Sequence, residues 1–117
     1  MWVEIDSFDP RALAIIRRSI GTPLASCESL FDRRQFKDFF ETHAMDVSII
    51  DVPWNGILEA MKIAAMAEAY EVNCAPHNFY GHMSTLMGAH FCAAIPNFRI
   101  MEIDVDDVPW KDDLVTD

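Results

Sequence analysis

With 117 residues, 51% of them apolar, the chain has room for one domain with a real core, and this composition excludes a disordered segment. Its formal charge of −10 repels phosphate backbones and no basic stripe offsets it, so nucleic acid is not an expected partner and a metal cation suits the surface better. No apolar run is long enough to cross a bilayer and no basic leader stands out. The three cysteines, Cys27, Cys74 and Cys92, lack paired spacing, so a reducing, cytoplasmic setting without disulfides is expected.

The first apolar run, Trp2-Val3, delivers Glu4. Asp9-Pro10 then opens a helix over 11–19, because an aspartate cap followed by proline suits the first turn. Leu13, Ile16 and Ile20 give that helix its apolar spacing, and Gly21 ends it. A second run, Pro23-Leu24-Ala25, leads to Glu28. Asp32 is placed to cap the next helix, in which Phe36, Phe39 and Phe40 form a stripe. The β-branched run 47–50 reads as a strand buried on both faces and delivers Asp51 into a Pro53-Trp54-Asn55-Gly56 turn. The third helix carries Ile57, Met61, Ile63, Ala64, Met66, Ala67 and Tyr70 at three- and four-residue spacing. A short strand over 72–75 leads to His77, a helix follows over about 84–94, and a last strand over 98–103 presents Glu102.

The five ionisable residues Glu4, Glu28, Asp51, His77 and Glu102 are thus separated by 24, 23, 26 and 25 residues. A strand, a turn and a covering helix take about 30 residues or slightly fewer. Strict alternation argues for parallel strands with right-handed crossovers. In a (β/α) barrel the C-terminal strand ends converge on one mouth, where the active site lies. The expected architecture is therefore α/β: part of a TIM-like barrel, about five strands with alternating helices, with no second domain in 1–117.

Each group admits two readings. Glu4 and Glu28 are oxygen ligands of the kind Mg²⁺ prefers, or solvated acids at strand ends. Asp51 and His77 form a carboxylate–imidazole pair suited to proton transfer, or respectively a turn cap and a turn donor. Glu102 bonds substrate or balances a metal, or is one more acid in a tail that holds Asp104, Asp106, Asp107, Asp112, Asp113 and Asp117. His82 is placed near the pocket, His90 at a packed mid-helix position and His43 at the surface. A zinc set from Cys74, His77, His82 and Cys92 lacks finger-like spacing, and no phosphate-binding loop or dinucleotide fingerprint is present.

The residues Ile57-Leu58-Glu59-Ala60-Met61-Lys62-Ile63-Ala64, Ala67-Glu68-Ala69, Ala75-Pro76-His77-Asn78 and Ala93-Ala94-Ile95-Pro96-Asn97-Phe98, together with Pro23-Leu24-Ala25-Ser26-Cys27-Glu28, resemble the mandelate racemase branch of the enolase superfamily. Within it they are most similar to the galactonate dehydratase type, and the resemblance covers nearly the whole chain. It implies the C-terminal part of a barrel domain, with the N-terminal capping domain and first barrel strands absent. Glu4 and Glu28 would be the second and third Mg²⁺ ligands, the first lying outside this chain. Asp51 and His77 would be the catalytic dyad, with Glu102 at the last strand.

The implied chemistry is removal of the proton α to a carboxylate, then loss of β-hydroxide to a 2-keto-3-deoxy sugar acid. The alternatives are a racemase or epimerase of the same branch, or a non-catalytic half-barrel that self-associates as a homo-oligomer or pairs with a separate half. The isolated chain is expected to be inactive. Three departures mark it: Glu4-Ile5-Asp6 where the family usually has a Glu-Glu-Pro run, Cys27 where it usually has glycine, and a turn after Asp51 one residue shorter than the double-glycine form.

Overall fold

In the computed structural model, which describes residues 1–105 and 108–116, four parallel strands lie in chain order across one sheet. They are β1 (Val3–Glu4), β2 (Leu24–Ser26), β3 (Val47–Asp51) and β4 (Asn73–His77). Helices α1 (Pro10–Ser19), α2 (Asp32–Glu41), α4 (Ile57–Ala69) and α5 (His82–Ala94) alternate with them. A short helix α3 (Val52–Asn55) follows β3, and a 3₁₀ turn covers Lys111–Leu114. The fold is α/β, and the described sheet does not close into a barrel. Asp106, Asp107 and Asp117 of the acidic tail lie outside the described residues.

The period of two along each strand sorts side chains between the two faces. Leu24, Ile50 and Cys74 face the helices, where they join Leu13, Phe36, Phe40, Ile63 and Phe91 in the main core. Each such large apolar side chain contributes about 1.5–3 kcal/mol on burial. Ala25, Val47, Ile49 and Ala75 cluster on the opposite face with Trp2. By the same alternation Asp51 and His77, paired in register at the ends of β3 and β4, belong to that second face. All three cysteines are buried free thiols.

The helix signals mostly hold. The Asp9 carboxylate accepts the Arg11 and Ala12 amides at 3.0 Å, with Pro10 in the first turn. Asp32 is not the cap of α2 but its first residue: Phe31 occupies the cap position, and the Asp32 carboxylate instead takes the Arg34 amide at 2.7 Å. In α4 the buried stripe is Ala60, Ile63, Ala64 and Ala67, with Met61, Met66 and Tyr70 packed at its margin. Ile57, expected in that stripe, is exposed at the helix start. His90 is exposed on α5 rather than packed, whereas His43 is exposed as expected. The turn after Asp51 closes as the single turn of α3, and Gly56, at φ 74°, reverses the chain into α4.

The expected fifth strand forms only in part. Phe98 bridges Cys74: the Cys74 amide bonds the Asn97 carbonyl at 2.8 Å and the Arg99 amide bonds the Cys74 carbonyl at 2.9 Å. The next donor on that edge of β4 would be residue 76, a proline without an N–H. The ladder breaks there, and its next bond comes one residue late, from the Glu102 amide to the Pro76 carbonyl at 3.4 Å. Phe98, Ile100 and Ile103 remain exposed, so no buried face restores the register.

Asp46 ties β2 to β3. Its Oδ2 accepts the Leu24 amide at 2.9 Å, its own amide bonds the Leu24 carbonyl at 2.8 Å, and Oδ1 takes Arg17 Nη2 at 2.7 Å. Burial alone would raise the Asp46 pKa, but the Arg17 and Leu24 hydrogen bonds outweigh it and hold the carboxyl below its ordinary value. Because the folded value lies below the unfolded one, the contribution is full above the unfolded carboxylate range. It drains away as pH falls through the folded value. Asp46→Ala is expected to cost about 1 kcal/mol at neutral pH, a figure kept low because the pair is partly solvated. Urea titrations near pH 7 and at about pH 3 check this; an equal cost at both would refute the linkage.

Candidate active site

The sheet face opposite the helices opens into a cavity of roughly 200 Å³ lined by Trp2, Glu4, Ile49, Ala75, Pro76, His77, Ile100, Met101 and Glu102. At its mouth the structure gathers Glu28, Asp51, His77 and Glu102. His77 Nδ1 lies 2.9 Å from Asp51 Oδ2, while Nε2 lies 3.4 Å from Glu28 Oε1 and 3.7 Å from Glu102 Oε2. Three of the expected residues thus surround the fourth. Glu4 stands at the end of β1, exposed, with Oε2 accepting Trp2 Nε1 at 3.3 Å.

Asp51 makes both of the contacts open to it, one to the turn and one to the imidazole. Only 1% exposed, it accepts the Trp54 amide on Oδ1 at 2.8 Å, capping α3, and bonds His77 through Oδ2. A carboxylate on Nδ1 selects the tautomer with hydrogen there and leaves Nε2 as the acceptor toward the cavity.

Glu28 reaches this face by a backbone device. Cys27 has φ 90°, a left-handed conformation that costs a non-glycine residue about 1–2 kcal/mol. The turn sends the Cys27 side chain into the helix-side core, with Sγ 4.0 Å from Met45 Sδ, and returns Glu28 to the mouth. Partial burial raises the Glu28 pKa above its ordinary value; His77 opposes this, and the neighbouring charges of Glu4, Asp6 and Glu102 add to it. Glu102 is fixed from the side, its Oε2 accepting the Asn78 amide at 3.0 Å.

Two residues with no assigned role in the sequence reading contribute. Tyr80 donates its hydroxyl to Asp51 Oδ2 at 2.6 Å and sets its ring edge-on to the His77 imidazole, with centroids 5.4 Å apart. Buried Asn78 spans three partners: Nδ2 donates to the Glu102 carbonyl at 3.1 Å and to Thr85 Oγ1 at 3.0 Å, and Oδ1 accepts from Ser84. Tyr80 lies in a loop without periodicity, so its only signal was its place three residues after His77. His82 is not part of the cavity lining; its Nε2 lies 3.0 Å from Asp112 Oδ1. Cys74 and Cys92 belong to the helix-side core, across the sheet from His77, so the four residues of the zinc set do not converge.

The mouth collects hard oxygen donors whose mutual repulsion, felt at Glu28, a divalent cation would relieve. In donor chemistry Glu4 and Glu28 fit Mg²⁺. In number they fall short: among the described residues no group of three or more histidines, cysteines, aspartates or glutamates is arranged to hold a metal. Among the same residues no helix is long and apolar enough to cross a membrane.

A parallel α/β sheet with an acid–imidazole cluster at its C-terminal strand ends is the arrangement on which (β/α) barrel enzymes build their sites. Residues 1–117 match the family model described as enolase C-terminal domain-like, and the chain belongs to the enolase superfamily, in its mandelate racemase and galactonate dehydratase branch. It is 31% identical over 102 residues to the D-xylonate dehydratase of Haloferax volcanii, covering 86% of this chain and 25% of that protein. Over 114 residues it is 32% identical to the D-gluconate/D-galactonate dehydratase of Picrophilus torridus, covering 96% and 28%. Among solved structures it is 54% identical, with a TM-score of 0.93, to a candidate L-alanine-DL-glutamate epimerase from Burkholderia xenovorans bound to magnesium and fumarate, covering 97% and 28%. The chain spans little more than a quarter of the length of the relatives it matches.

Proposed function

We propose that these residues belong to a Mg²⁺-dependent acid-sugar dehydratase whose proton-transfer group is His77. The observation that carries this reading is the orientation of one imidazole: Nδ1 on buried Asp51, Nε2 facing Glu28 and Glu102 at the cavity mouth. The dehydratase names of the Haloferax and Picrophilus relatives supply the substrate class, a sugar acid with a hydroxyl on the carbon beside the acidic C–H.

Glu4 and Glu28 would hold the metal, with substrate, water or further groups completing its shell. Mg²⁺, when bound, supplies Lewis-acid stabilisation of the carboxylate charge that grows as the α proton leaves. His77 accepts that proton at Nε2. Once protonated it returns a proton to the β-hydroxyl, which leaves as water, and the resulting enol ketonises to the 2-keto-3-deoxy acid. Asp51 stabilises the imidazolium without taking its proton, and Glu102 offers an acceptor to a substrate hydroxyl.

A second reading, racemisation or epimerisation, is favoured by the magnesium- and fumarate-bound Burkholderia structure, whose name carries epimerase chemistry. Both readings begin with α-proton removal and part at the β-carbon. Incubation of the full-length enzyme that contains these residues with aldonic acids and Mg²⁺ in D₂O, followed by proton NMR, separates them. The dehydratase reading expects loss of the C2 proton signal and a new C3 methylene carrying one deuterium, because the enol ketonises by taking a deuteron from solvent. Exchange at C2 without a methylene would favour the epimerase. A folded, Mg²⁺-bound full-length enzyme that exchanges no aldonate would overturn both.

A further inference from the structure

We propose that Tyr80 is a positioning residue for the Asp51–His77 pair, its hydroxyl and ring together holding the imidazole with Nδ1 on the carboxylate and Nε2 turned to the acidic mouth. This rests on the reading of His77 as the proton-transfer group only for the meaning of that orientation, not for the orientation itself. Three donors meet the Asp51 carboxylate: the Trp54 amide on Oδ1 at 2.8 Å, and His77 Nδ1 at 2.9 Å and the Tyr80 hydroxyl at 2.6 Å, both on Oδ2. The Tyr80 hydroxyl is the donor and the Asp51 carboxylate oxygen the acceptor. Burial beside Asp51, and the negative charge there, push the Tyr80 pKa up, which keeps that donor proton in place.

Among the described residues, loss of the phenol leaves the Trp54 amide as the one hydrogen bond from outside the pair that resists rotation of the carboxylate away from His77. The ring adds a second restraint. Its plane stands at 84° to the imidazole, a wall against which the histidine would have to turn. A half-turn of that imidazole would present C–H groups both to Asp51 and to the cavity. Tyr80 therefore closes both routes by which the pair loses its alignment, movement of the carboxylate and flipping of the ring.

The test reads the tautomer directly, by long-range proton–nitrogen NMR of the chain labelled at histidine, at a pH where the imidazoles are neutral. In the unaltered chain His77 is expected as a single Nδ1-protonated form. Tyr80→Phe removes the hydroxyl and keeps the wall, and the Nε2-protonated share of His77 should rise several-fold. Tyr80→Leu removes both restraints and should raise it further. His43, His82 and His90 serve as internal references, since a general loosening would move them too. A single Nδ1-protonated His77 in Tyr80→Phe, with the references unchanged, would overturn the proposal even if Tyr80→Leu does not fold. A shift shared by all four histidines would overturn it as well, by reducing Tyr80 to a stability residue. Failure of the enzymatic reading would show separately, as α-proton exchange that persists in His77→Asn.

Discussion

Asp51→Ala is expected to lower the stability of the chain by about 2–4 kcal/mol, the cost of stranding buried donors less what water recovers. The alanine leaves the Trp54 amide, the His77 Nδ1–H and the Tyr80 hydroxyl without their common acceptor. The Trp54 ring and the Tyr80 side chain are partly exposed, so solvent reaches some of these groups, which sets the upper limit. Asp51→Asn should cost less, since its amide oxygen still accepts one or two of the three bonds while its NH₂ faces the remaining donor. Urea unfolding is the measurement: the midpoint should fall with the slope unchanged. A loss under about 1 kcal/mol for Asp51→Ala would mean that the carboxylate is not the structural hub of the β3 end.

The second large effect is chemical. Made in the full-length enzyme that contains these residues, His77→Asn is expected to slow sugar-acid α-proton exchange by roughly 10²–10⁴-fold, the usual range for a positioned acid–base group. Its stability should change by no more than about 1 kcal/mol, because the asparagine still offers a donor to Asp51. The contrast with Asp51→Ala separates the two expected roles, holding the strand end together and moving the proton. Exchange measured in D₂O in the presence of Mg²⁺ decides it. A variant that exchanges within about threefold of the unaltered full-length enzyme would remove His77 from the chemistry.

Much of this arrangement was legible in the sequence because it rests on local, periodic rules. The 47–50 run of β-branched residues announced β3, Asp9-Pro10 announced α1, and the recurring apolar-then-ionisable pattern placed Glu28, Asp51, His77 and Glu102 at one end of one sheet. What the sequence hid depends on contacts between distant segments or on single bonds. The strand signal of 98–103 was genuine at Phe98, but the missing N–H of Pro76, on another strand, interrupts its ladder. His90 has a neighbourhood typical of a packed helix position, yet it points away from the core that Phe91 and Cys92 join. Tyr80 carries no periodic mark, and its role appears only once β3 and β4 stand side by side. Asn78 sits in the recognised Ala75-Pro76-His77-Asn78 stretch, but its span to Glu102 and α5 is a property of the fold.

The left-handed backbone at Cys27 has a consequence for how such a site is inherited. A strand that kept its alternation through residue 27 would bring the thiol to the cavity and deliver the following carboxylate to the helix layer. The acidic character of the mouth therefore depends on the handedness of one uncharged residue as much as on the acids themselves. A lineage could gain or lose this carboxylate from its cavity face by changing which residues tolerate that torsion, with every charged position in the chain left untouched.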